Sequence, residues 1–241
     1  MTGDAIAAAF DWWREAGVDH DFADIPHAWL RTPEPEPEEA PAVFVAPPRP
    51  QAPPPEPIGG DRAQWPQDLT GFAGWWMREP GLDSGMTDRR VPPRGVPAAA
   101  LMVLVDHPES EDSEHLLSGP QGRLLEAILR ALGIGSEAVY VASALPRHMP
   151  IPDWAALQTA GLGEVLAHHI RLAAPRRLLV FGTHVSSLLG HDPTKTAGFL
   201  HNLHQEGVSV PALAGPELAA LIARPRGKAR LWQALLDWQA A

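Results

Sequence analysis

The chain has 241 residues, a formal net charge of −10, 45% hydrophobic residues, 27 prolines and no cysteine. That length holds one ordinary domain plus a tail, and the missing cysteines exclude disulfides, thiolate catalysis and cysteine-held clusters. Residues 1–60 carry 11 Asp/Glu against 3 Lys/Arg, and the remaining 181 carry 18 against 16. Neither part has the clustered cations that coat a polyanion, so direct nucleic-acid binding is expected to be weak or absent. No 18-residue apolar run occurs, and no basic stretch is followed by an apolar one at the N-terminus. A protein without membrane association, cytoplasmic in location, is the expectation.

In chain order, residues 5–16 have helix-forming composition with Ile6, Phe10 and Trp13 at i, i+4, i+7, and Gly17 as a stop. A second apolar cluster contains Trp29 and Leu30. Residues 1–31 therefore read either as a segment folded back on the domain or as a docking peptide with aromatic anchors. From Thr32 to Ile58 eleven of 27 positions are Pro, which predicts a semi-rigid solvated linker over 32–60. The folded domain is then expected over 61–241. Trp65, Phe72, Trp75 and Trp76 open it, at a density that implies core packing.

Apolar runs of strand length follow at 101–105, 138–145, 177–182 and 208–213. Helical patterns separate them at 122–132, at 154–172 as one long helix, and in a short helix through Leu189. Residues 216–238 follow, helical with a break at Pro225. Apolar strands alternating with helices predict an α/β fold, a three-layer α/β/α sandwich around a four-stranded, mostly parallel sheet. In the last helix Leu231, Trp232, Leu235 and Leu236 are expected to face the sheet, leaving Trp238 partly exposed as a partner contact.

His191, His201 and His204 include a His-x-x-His spacing that can bind zinc, but no third ligand with fixed helical spacing accompanies them. No metal site and no cofactor are expected. His168 and His169 are neighbours on a helix and so point in different directions. Gly182, Thr183 and His184 follow a strand, and by themselves form a weak anion-site signal.

The Val105–Glu109 loop, the Leu116–Leu125 segment with Gly119 and Gly122, the strand ending Ser143-Ala144-Leu145-Pro146, and the Leu213–Leu218 loop give the chain, from about Ala99 to Trp238, a resemblance to the short, iron-sulfur kind of uracil-DNA glycosylase. It implies a pocket at the carboxyl ends of the strands that holds an extruded base. At each reactive position this sequence differs. Asp106 stands where the family's acid follows the first strand, but the glycines that would aim it are absent, and a solvated turn is expected. Leu117 replaces the stacking aromatic. Ser143 replaces the Asn that reads the base edge and is too short for a paired contact. Gly215 lies in the loop that has lost the family's His and Tyr. Asp106, Leu117, Ser143 and Gly215 thus define a degenerate base pocket.

A second resemblance runs along the chain in order. Residues 214–238, with Pro216 and Pro225 and the Ala229-Arg230-Leu231-Trp232-Gln233 closing segment, are similar to the end of the psi subunit of bacterial DNA polymerase III. The similarity extends to 101–106, 125–134 and 139–146. At the front it takes in Asp11-Trp12, Gly17-Val18 and Trp29-Leu30-Arg31-Thr32-Pro33. It implies a non-catalytic clamp-loader accessory. Residues 1–31 would dock on the clamp-loader collar through Phe10, Trp12, Trp13, Trp29 and Leu30, and the folded domain would bind the chi subunit and, through it, single-strand binding protein. The alternative is a divergent uracil-DNA glycosylase with Asp106 or Glu109 as its acid.

Overall fold

Four strands make the centre of the molecule: the buried β1 (Leu101–Val105), β2 (Val139–Ser143) and β3 (Leu178–Phe181), and β5 (Val208–Gly215), on which Ser209 and Pro211 are exposed. In this computed structural model residues 3–17, 57–83, 86–190, 200–205 and 208–240 are described. β1, β2, β3 and β5 are mutually parallel, and a further strand, β4 (Leu200–Gln205), pairs antiparallel with β5 at one edge. The order is β2-β1-β3-β5-β4. Five strands therefore stand where the sequence pattern predicts four. β4 escapes that pattern because its sequence, LHNLHQ, is no continuous apolar run. Its place in the sheet comes from backbone pairing with β5.

Side chains alternate across the sheet, as strand geometry requires. Leu101, Val103, Val105, Val141 and Phe181 enter one core with α3 (Pro120–Ala131), α7 (Leu218–Ala223) and α8 (Arg226–Ala240). Met102, Leu104, Tyr140 and Val180 enter the other, with α2 (Leu69–Arg78) and α5 (Leu162–Ala173). The result is the expected three layers.

The second core absorbs the aromatic cluster. Trp65, Phe72 and Trp76 are buried, and Ile58 joins them. The folded unit thus begins ahead of Asp61, and the chain divides into a first unit of residues 1–52 and a second of 53–241. Asp68 caps α2 by accepting from the Gly71 amide at 2.8 Å. Asp83, buried beside α2, accepts from Arg90 and, at 2.6 Å, from Arg147.

The expected long helix over 154–172 is two, α4 (Trp154–Thr159) and α5. Gly161 separates them at φ 91°, a left-handed conformation that costs glycine little and stops a helix. α6 (Thr183–Leu188) follows β3. The first unit contains α1 (Gly3–Glu15), on which Phe10, Trp12 and Trp13 are exposed. Among the described residues no helix is long and apolar enough to cross a membrane.

Candidate functional site

Parallel strands bring their carboxyl ends to one edge of the sheet. Val105 is level with Ser143 and with Phe181, and Phe181 with Gly215. Asp106, Ser143, Gly182 and the Gly215-Pro216-Glu217 turn therefore leave the sheet side by side. This is the edge where open α/β folds bind ligands.

Asp106 is half-buried, and its Oδ1 is shut off from solvent without a hydrogen-bond partner. Burial first, then the like charge and a shared hydrogen bond from Glu217, push its pKa up to about 8. Asp106 thus keeps its proton at neutral pH. The expected solvated turn is corrected on this point, because the β1 end places the carboxyl against Gly182. A Cβ at Gly182 would collide with Oδ1 of Asp106, so a glycine here is what lets the two strand ends close.

His107 and His148 meet edge to face at 4.8 Å. Both direct Nδ1 at the Pro108 carbonyl, at 2.8 and 2.9 Å. A carbonyl only accepts, so each Nδ1 donates. Burial lowers the His107 pKa, outweighing the Pro108 bond that raises it. Two residues after Gly182, His184 stacks on Trp154 with ring centres 5.3 Å apart.

The remaining pocket positions are turned to internal work. Ser143 is 2% exposed and donates from Oγ to the Leu145 carbonyl at 2.7 Å. Leu117 is buried at φ 58°, its amide donating to Asp112 at 2.8 Å. Asp112 also takes the amides of Glu109 and Ser118. The Glu109 carboxylate accepts from the amides of Gly119, Gln121 and Gly122 at 2.9, 2.9 and 3.3 Å. These are the free donors that begin α3, where an anion would otherwise bind. Glu109 is therefore a helix cap, with both carboxylate oxygens engaged by the α3 amides. Gly122 belongs to the same turn, since a Cβ there would collide with the Leu117 carbonyl. Gly215 ends β5 beneath α8, where a Cβ would come within 3.0 Å of Leu231 Cδ1.

Trp238 is corrected from partner contact to core. It is 7% exposed, with the Arg177 guanidinium 5.4 Å above its ring. Leu231, Leu235 and Trp238 form the buried stripe of α8, whereas Trp232 is half-buried and Leu236 is 40% exposed. Phe10, Trp12 and Trp13 share α1, and Trp29 and Leu30 lie outside the described residues.

His169 and His168 do point in different directions. His169 stacks on Phe72 at 4.1 Å and bonds the Tyr140 hydroxyl at 2.9 Å, and burial pushes its pKa down to about 3. His168 bonds the Pro66 carbonyl at 2.7 Å. His191 lies outside the described residues, and His201 and His204 are described only as backbone positions on β4. Among the described residues no group of three potential ligands is arranged to hold a metal.

Sequence reasoning missed Glu217 as a neighbour of Asp106, and the pairing of His107 with His148 beside it. The available signal was an acid two residues after a strand-end glycine, on the strand next to β3. No protein-family model matches this chain, and no curated protein is similar to it.

Proposed function

We propose that this chain is a binding protein rather than an enzyme, built on a sheet whose carboxyl edge has been closed to a base. Within that class it acts as a psi-like accessory subunit of the bacterial DNA polymerase III clamp loader. Residues 1–31 engage the clamp-loader collar, and the folded domain engages the chi subunit and, through it, single-strand binding protein. The observation that carries the non-catalytic reading is Ser143. At the position for reading a base edge, its hydroxyl is buried and already donates to Leu145. Specificity for a polar edge requires a partner group that is free to pair with it. The ordered similarity to psi, from Asp11-Trp12 to Trp232-Gln233, supports the particular assignment.

Purified full-length protein, mixed with clamp-loader and chi subunits from the same organism, is expected to co-purify with both. Recovery of neither would overturn the psi-like role. Asp106 gives one specific reason to keep a second reading, a divergent uracil-DNA glycosylase. Its unpartnered oxygen and raised pKa are what a group kept for proton transfer shows. Uracil released from a single-stranded oligonucleotide, and lost on Asp106→Asn, would replace the first reading by the second.

A further inference from the structure

α3 packs on α7, α7 on α8, and α8 on β5. The Gln239 side chain donates to the Leu132 carbonyl at 3.0 Å and ties the C-terminal ends of α8 and α3 together. Between these two helices lies an apolar furrow of about 310 Å³. Leu124 and Ile128 form one wall, Lys228 and Trp232 the other, and Leu221 lies with Leu235 along its lining. Each wall is an i, i+4 row, the kind of ridge pair between which a third helix packs. A second depression of about 560 Å³ shares Leu221 and runs past Ala220 and Pro225 toward Pro216.

The charge here is of one sign. From Leu218 to Leu236 there are four cations and no Asp or Glu, in a protein of net charge −10. Arg224 and Arg226 border the second depression, and Lys228 stands at the mouth of the furrow. All three are exposed, and none is in an ion pair among the described residues. Among the described residues no carboxylate lines either hollow.

We infer that the α3–α8 furrow is a docking site for an acidic amphipathic helix of a partner protein, with Trp232 as its main apolar contact and Arg224, Arg226 and Lys228 pairing with the flanking acids. An apolar centre surrounded by opposite charge is how helix-in-groove recognition obtains both affinity and orientation. The furrow stands on its own geometry, so the inference holds whether or not the chain serves a clamp loader.

The test titrates the full-length protein with a synthetic helix of about fourteen residues, roughly 20 Å long. It carries Leu and Phe on one stripe and Glu on the flanks, and a matched peptide carries Lys in place of Glu. The acidic peptide is expected to bind saturably and at least about tenfold more tightly than the basic one, with a preference that weakens as salt rises. Trp232→Ala, verified as folded by its thermal midpoint, should weaken binding about tenfold. So should Arg224→Glu, Arg226→Glu and Lys228→Glu combined, at three exposed positions and with the fold verified in the same way. Equal affinity for the two peptides, or binding unchanged in the charge-reversed variant, overturns the proposal. A concentration-dependent dimer of the peptide-free protein that Trp232→Ala abolishes also overturns it, by making a second copy the occupant. None of these outcomes decides the co-purification with clamp-loader subunits, which is read separately.

Discussion

The carboxyl edge of the sheet and the furrow beside α8 treat their chemical groups in opposite ways. At the edge, Glu109, Asp112 and Ser143 are saturated by backbone groups of their own loops. At the furrow, Trp232 and Leu124 remain partly open to solvent, and Arg224, Arg226 and Lys228 have no ion pair among the described residues. A donor or acceptor already paired gains little from a ligand, because binding it means breaking an existing bond. Uncovered apolar surface gains on contact with any matching surface. The difference separates a region that maintains the fold from a region suited to recognition. Asp106 is the exception on the first side.

The largest expected effect tests the two tryptophans of α8 against each other. Trp238→Ala empties a buried site and should cost about 3–5 kcal/mol. Trp232→Ala removes a half-exposed ring and should cost about 1 kcal/mol, with its main effect on binding. Chemical denaturation of both variants measures this order, and equal losses would place Trp232 in the core with its neighbour.

Glu109→Ala comes next. It leaves the amides of Gly119, Gln121 and Gly122 without their carboxylate and should cost about 2–3 kcal/mol. A Glu109→Gln variant, which keeps an acceptor, should recover part of that loss. If Glu109→Ala melts like wild type, the turn is held by other contacts and the edge is freer than its bonds imply.

A smaller effect concerns pH. The folded pKa of Asp106 is raised from 3.8 to about 8, so the folded state binds this proton more tightly than the unfolded chain does. Its contribution is full below about pH 4 and is lost as pH rises through about 8. Asp106→Asn mimics the protonated carboxyl. Its thermal midpoint should match wild type at pH 4 and exceed it by several degrees at pH 8. Parallel pH curves for the two proteins would mean that Asp106 ionises normally.

The smallest effect is expected in α1, where Phe10 is 62% and Trp13 51% exposed. Phe10→Ala and Trp13→Ala should each change stability by less than about 0.5 kcal/mol. If these residues are docking anchors, the same substitutions should reduce recovery of the clamp loader in the co-purification. A large fall in thermal midpoint would make them structural instead.

Much of this architecture was legible in the sequence, because burial on both faces of a parallel sheet demands continuous apolar runs. Those runs located β1, β2, β3 and β5 to within a few residues, and Gly133 and Pro225 marked helix ends. Phe72 and Trp76 declared themselves as core by their size. Phe10 and Trp13 declared an amphipathic helix by their spacing. What the sequence could not give was any property fixed by neighbours distant along the chain. β4 joins the sheet through backbone pairing that leaves no periodic signature. The helical pattern set Trp232 on the sheet-facing stripe and left Trp238 partly exposed, and the approach of α8 to β5 and Arg177 reverses that order. Asp106 and Glu217 are 111 positions apart in the numbering, and the register of β1, β3 and β5 brings them together. Composition and periodicity record what each residue prefers, whereas exposure, pairing and proton affinity depend on what the fold puts beside it.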